Sequence, residues 1–118
     1  MTREEFDTFC AGLTATTHVV QWGNASVWKV GGKIFAICSG WGTGAGPKFS
    51  FKCSNLAYEV LPQMPDIIPA PYLARAKWVQ LEKPNALSRN ELEKHFVMAH
   101  AIIAAKLTKK LQKELGLV

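Results

Sequence analysis

Two adjacent glycines, Gly31 and Gly32, separate the runs Ala25–Val30 and Lys33–Cys38, both rich in β-branched and aromatic residues. A two-residue connection that needs positive φ at both positions selects a type I′ turn, whose twist matches that of paired antiparallel strands. The hairpin makes its neighbours predictable. His18–Trp22 ahead of Gly23-Asn24 reads as a short strand, and Lys77–Leu81 as another. Lys48–Cys53 alternates cleanly, with Phe49, Phe51 and Cys53 against Lys48, Ser50 and Lys52. That is the pattern of a sheet with one packed and one solvated face.

Helices bracket these strands. Thr2 and Glu5 form a capping box ahead of the stripe Phe6, Phe9, Cys10 and Leu13, which Thr14-Ala15-Thr16-Thr17 ends. Ser54 or Asn55 caps a short helix through about Leu61, stopped by Pro62. Residues 62–74 hold Pro62, Pro65, Pro69 and Pro71 but also Ile67, Ile68, Tyr72 and Leu73, so this segment reads as an anchored loop. Ser88 and Glu91 make a second capping box. Leu92, Phe96, Ala99, Ile103, Leu107, Leu111 and Leu115 then recur at helical spacing, predicting one long helix up to Gly116. The order α-β-β-β-β-α-β-α implies an α+β fold: a single domain over residues 1–118, with an antiparallel sheet carrying the N- and C-terminal helices on one face. A chain of 118 residues with 48% apolar content supports one such core.

The acidic start Glu4, Glu5, Asp7 does not resemble a secretory leader, and no apolar run approaches the ~18 residues of a membrane span. Cys10, Cys38 and Cys53 are odd in number and lack metal spacing, which fits a reduced, cytoplasmic protein. Fourteen Lys and Arg stand against nine Asp and Glu, a net charge of +5. Residues 18–53 contain Lys29, Lys33, Lys48 and Lys52 and no acid, so an uncovered sheet face would be positive. Lys106, Lys109, Lys110 and Lys113 lie near the end of the predicted long helix, where they complement its dipole.

The loop Gly40-Trp41-Gly42-Thr43-Gly44-Ala45-Gly46 matches part of a dinucleotide fingerprint, but Pro47 and an alternating strand follow where a helix N-terminus would be required. It reads instead as a hairpin tip, with Trp41 either presented for stacking on a base or folded back on the core. His95 and His100 are five apart and His18 is remote, so no metal site is expected. No nucleophile motif is present, and an enzyme is not expected.

The stretches Trp28–Ala36, Phe49–Ser54, Pro69–Leu73 through Lys77–Val79, and the C-terminal helix resemble the MmcQ/YjbR-like family. The resemblance implies a CyaY-like (frataxin-type) fold and a double-wing DNA-binding shape. This chain has Ala99-His100 where the family tends to have Ser-Tyr. The iron-binding acidic surface of the frataxin branch has no counterpart, because the sheet is basic. The resulting expectation is a non-enzymatic DNA-binding module with wings at Gly31-Gly32 and at the Trp41 loop. Lys29, Lys33, Lys48, Lys52, Arg75 and Lys77 would contact phosphates, with Trp41 stacking. No cofactor, metal or membrane partner is expected, and a monomer is favoured. The alternative is a protein-interaction or small-ligand domain, with a groove between sheet and Pro-rich loop lined by Tyr72, Trp78 and Trp22.

Overall fold

The computed structural model describes residues 1–42, 44 and 46–118. The chain runs α1 (Arg3–Ala11), β1 (Thr16–Gln21), β2 (Ala25–Val30), β3 (Lys33–Ser39), β4 (Lys48–Lys52), α2 (Asn55–Val60), β5 (Ile67–Pro69), β6 (Trp78–Leu81), α3 (Arg89–Ala104) and α4 (Lys109–Glu114). The six strands form one antiparallel sheet in the order β1-β2-β3-β4-β6-β5. Both predicted capping boxes are formed, at Thr2/Glu5 and at Ser88/Glu91. Ser54 caps α2 by accepting from the Ala57 amide at 3.1 Å.

One sheet face is packed under α1 and α3. Phe6 and Cys10 from α1, and Leu92, Phe96, Ala99 and Ile103 from α3, are buried against Val30, Phe35, Phe49, Phe51 and Val79. The register between β2 and β3 shifts between Trp28 and Lys29. The β3 residues Phe35 and Ala36 thereby both enter this core despite being consecutive, which is what a bulge does to side-chain alternation.

Three features depart from the sequence expectation. Ile67–Pro69 is a sixth strand, β5, too short and Pro-flanked to read from pattern; Pro69 is tolerated because β5 lies at the sheet edge. The long C-terminal helix is broken. Residues 105–108 interrupt it, Leu107 is buried, and Thr108 starts α4 afresh by accepting from the Leu111 amide at 3.2 Å. Gln112 stabilises the break from inside, donating Nε2 to the Leu107 carbonyl at 2.8 Å. The face expected to be solvated is largely covered. Ala70 and Trp78 are buried against Ala25, Val27 and Ile37, with Trp41 and Leu73 packed alongside.

The Gly31-Gly32 turn is formed as expected, with φ of 58° and 80°. Its role is also tertiary: a Cβ on Gly31 would lie 2.4 Å from Leu107 Cδ1, whereas one on Gly32 would meet nothing within 4 Å. Both Gly→Ala changes cost about 1–2 kcal/mol through left-handed backbone. Gly31→Ala also overpacks the Leu107 contact, for an added ~1–3 kcal/mol. Urea unfolding should therefore give Gly31→Ala a clearly lower midpoint than Gly32→Ala; equal midpoints would remove the Leu107 contact from the account.

Candidate nucleic-acid interface

The sheet's cations do not form one array. Lys48 is fully buried, and this corrects the expectation that it faces solvent beside Lys52. The glycine loop after β3 folds back over it. Its ammonium donates to the Gly44 and Gly46 carbonyls at 3.4 and 3.3 Å, and a Cβ on Gly42 would lie 3.5 Å from Glu82 Oε2 and 3.7 Å from Gln80 Nε2. Polar neighbours complete this covered strip: Ser50 Oγ donates to Gln80 Oε1 at 3.3 Å, and Gln80 Nε2 donates to Glu82 Oε2 at 3.5 Å. Thr43 and Ala45 of the same loop lie outside the described residues. Trp41 is half-buried rather than presented at a tip, with its indole N–H donating to the Trp22 carbonyl at 3.1 Å.

The other cations gather at the opposite end of β4. Lys52 is also buried, and its ammonium donates to the Ala76 carbonyl. Burial holds its pKa below the ordinary lysine value, and the nearby ammonium groups of Lys106 and Lys77 push it the same way. Lys77 is half-buried, its ammonium 4.9 Å from the centre of the Tyr58 ring. Lys29 and Lys33 flank the Gly31-Gly32 turn, and the Gly31–Leu107 contact sets that turn against the α3–α4 junction that carries Lys106. Lys33, Arg75 and Lys106 are exposed. The ion pairs among the described residues join His18 to Asp7, Lys83 to Asp66, and Arg89 to Glu5 and Glu93, so none neutralises this group. The helix break also changes the meaning of the C-terminal lysines. Only Lys113 lies in a last turn; Lys109 and Lys110 open α4, where the helix dipole disfavours positive charge.

A second surface feature is a cleft of about 350 Å³ lined by Trp22, Trp41, Pro71, Tyr72 and Leu73. It lies between the β1–β2 turn and the Pro-rich segment. The Trp22 and Trp41 ring centres are 6.2 Å apart. Trp22 is 52% exposed and Tyr72 fully exposed. Trp78, expected to line a groove here, is instead buried beneath it.

A third cluster was not legible in the sequence, because its members come from α1, β1 and β2. Asp7 Oδ1 accepts from Ser26 Oγ at 2.5 Å and from Trp28 Nε1 at 2.9 Å. His18 Nε2 lies 2.7 Å from Ser26 Oγ, and its ring stacks on Trp28 with centres 4.6 Å apart. The residue types are those of a hydrolytic triad, but the order is not: Ser26 Oγ donates its hydrogen bond directly to the Asp7 carboxylate, so with that bond made it meets the imidazole as an acceptor and not as a donor. Ser26 also has no exposed surface. The cluster pins α1 to the sheet.

Two titrating groups are set by packing. Burial pushes all three thiols up, Cys38 to about 12 and Cys53 to about 11, which leaves them protonated and inert. His95 stacks on Phe51, and burial lowers its pKa, opposed by Glu91. No three His, Cys, Asp or Glu side chains gather as a metal site among the described residues, and no helix of the structure is long and apolar enough to cross a membrane.

The YjbR family model matches residues 11–102, most of the chain and all of its strands. The chain belongs to the YjbR family. The crystal structure of a Deinococcus radiodurans protein with a DUF419 domain is similar in fold, with a TM-score of 0.85 at 22% identity, covering 98% of this chain and 88% of that one. A Pseudomonas syringae protein gives a TM-score of 0.70 at 16% identity, covering 87% and 99% respectively. No curated protein matches at a significant level. This YjbR chain thus shares its overall α+β fold with both.

Two measurements follow from these side chains. Asp7→Ala strands the Trp28 indole N–H and leaves Ser26 Oγ with His18 Nε2 as its partner, and should lower unfolding free energy by about 1–3 kcal/mol; a loss under ~0.5 kcal/mol would show that α1 is held by apolar packing alone. His95 has a folded pKa below its unfolded value of about 6.5, so its neutral form is the one the fold stabilises. Its contribution is present above pH ~6.5 and is lost as pH falls through the lower folded value. Thermal stability of the wild type should drop on acidification from pH 7 to 5, and His95→Gln should flatten that slope.

Proposed function

We propose that this YjbR domain is a non-enzymatic DNA-binding module that holds phosphates at the basic end of its sheet. The observation that carries this is the crowding of like charge there: Lys52 feels Lys106 and Lys77, Lys33 sits on the turn packed against the same junction, and among the described residues no carboxylate pairs with any of them. Uncompensated ammonium groups repel one another, and a polyanion relieves that repulsion while releasing its own counterions. Lys109 and Lys110, placed against the dipole of α4, extend the cationic surface. The Gly31-Gly32 hairpin serves as a wing of this surface; Lys48 and Trp41 do not take part in the phosphate contacts. Protonated, buried thiols suit a reducing cytoplasm. The closed environment of Ser26 favours a binding role over catalysis.

Fluorescence anisotropy with a labelled duplex should show affinity falling by ~0.9 log units per neutralised phosphate for each decade of salt. The double variant Lys33→Glu/Lys106→Glu should weaken binding alike on all sequences and flatten that slope, whereas Lys109→Gln should have a smaller effect. Affinity independent of salt, or absent at low salt, overturns the reading.

The apolar cleft favours a second reading, a small-ligand or protein-interaction domain using Trp22, Trp41 and Tyr72. A saturating ligand at 100 times its Kd would add about 2.7 kcal/mol of stability, readable as a thermal shift without any salt dependence.

A further inference from the structure

We infer that the Trp22–Trp41–Tyr72 cleft is a stacking site for an unpaired nucleobase, so that the domain prefers single-stranded to duplex DNA; the inference rests on the phosphate-binding reading above. Three observations support this assignment.

The cleft presents aromatic faces and almost no polar surface. Its volume of about 350 Å³ lies in the range of specific small-molecule sites. Base–aromatic stacking needs only an exposed π-face and tolerates any base.

The Trp41 ring is held in place beforehand. The Trp41 indole N–H is committed to the Trp22 carbonyl, so that ring cannot turn away, and less ordering is needed on binding. Trp22 and Tyr72 both sit in the left-handed region, with φ of 52° and 68°. That conformation is unusual for bulky side chains and costs each about 1–2 kcal/mol. The backbone places both residues at the cleft mouth despite this cost, and Tyr72 is fully exposed, where it contributes least to the core.

Cleft and cations share one segment. Tyr72 and Leu73 line the cleft; Arg75 follows, exposed; the Ala76 carbonyl receives the Lys52 ammonium; and Lys77 ends the turn at φ 64°. Trp22 and Trp41 adjoin the Ala25–Lys48 end of the sheet and Lys33 and Lys52 the other, so a strand with a base in the cleft would run along the Tyr72–Lys77 segment, past the exposed Arg75, to reach them. One segment thus carries both apolar rings and cations that no carboxylate pairs among the described residues, a combination complementary to a base linked to a phosphodiester. It is less suited to a proline-rich peptide, which is neutral and needs free donors for its carbonyls; the Trp41 donor is already engaged.

The strandedness follows from the same geometry. In a duplex the bases are stacked on each other and their faces are hidden, so only the phosphate contacts remain available. A single strand offers both.

The test compares an oligothymidine single strand, a duplex of the same length and a proline-rich peptide on the full chain. Tryptophan fluorescence and anisotropy are the two readouts. The variants Trp22→Asn and Tyr72→Asn remove each ring while keeping a residue that tolerates the left-handed backbone. The single strand should quench tryptophan emission and bind more tightly than the duplex. Each variant should lose roughly 5- to 150-fold in single-strand affinity, the range expected for one stacked base. Duplex affinity and its salt slope should stay unchanged, and circular dichroism should report an intact fold. Lys33→Glu should weaken both DNA forms. If both ring variants bind the single strand as the wild type does, or if only the peptide quenches emission, the base-stacking inference falls while duplex binding keeps the phosphate reading alive. If neither DNA form binds at low salt, both fall together.

Discussion

Phe96 on α3 is the contact on which the rest of the molecule rests. Its ring meets Phe6 at 5.2 Å, Phe51 at 5.8 Å, and Phe9 and Phe49 at 6.3 Å between centres. The five rings belong to α1, β4 and α3, so one apolar cluster joins the first helix, the middle of the sheet and the last long helix. Several of these pairs are edge-on, which adds to the transfer energy of burying large rings. With α1 and α3 fixed to one face, the other face, the sheet ends and the α3–α4 junction become the places where function can be built.

That second face is divided between two kinds of cover. The glycine loop after β3 lays backbone carbonyls over Lys48, and the Pro-rich segment lays Ala70 and Leu73 over Val27 and Ile37. Between these covers lies the aromatic cleft. Charge is thereby sorted by position along β4. Lys48, at one end, is solvated by two loop carbonyls; Lys52, at the other, has the Ala76 carbonyl but also the nearby ammonium groups of Lys106 and Lys77. A buried ammonium needs several such acceptors to offset its desolvation, and folding the loop back over the sheet provides them.

The fold was largely legible because its signals are local. The Gly31-Gly32 turn, the alternation of Phe49, Phe51 and Cys53, and the two capping boxes each depend on residues within one element. The errors arose where an element depends on a distant partner. Leu107 continues the helical spacing perfectly well, yet it is drawn onto Gly31, and the helix is broken at that point. β5 exists because β6 offers it an edge. The Asp7–Ser26–Trp28 bonds span about twenty positions with no motif to announce them. For the proposed site, the sequence reading named Lys29, Lys33, Lys52, Arg75, Lys77, Trp41, Trp22 and Tyr72 without grouping them as the fold does, and it read Lys106 as part of a helix end and not as a neighbour of Lys52.

The amino-acid order by itself determined the α+β class, the strand hairpins and the excess of positive charge, because period, turn chemistry and composition are carried by neighbouring residues. Which lysines are sealed and which are left to repel each other, and which aromatic rings line a cleft rather than a core, was decided only in three dimensions. Alternation along a strand says that two side chains share a face. Whether a loop from elsewhere in the chain then covers that face depends on contacts that no local pattern contains.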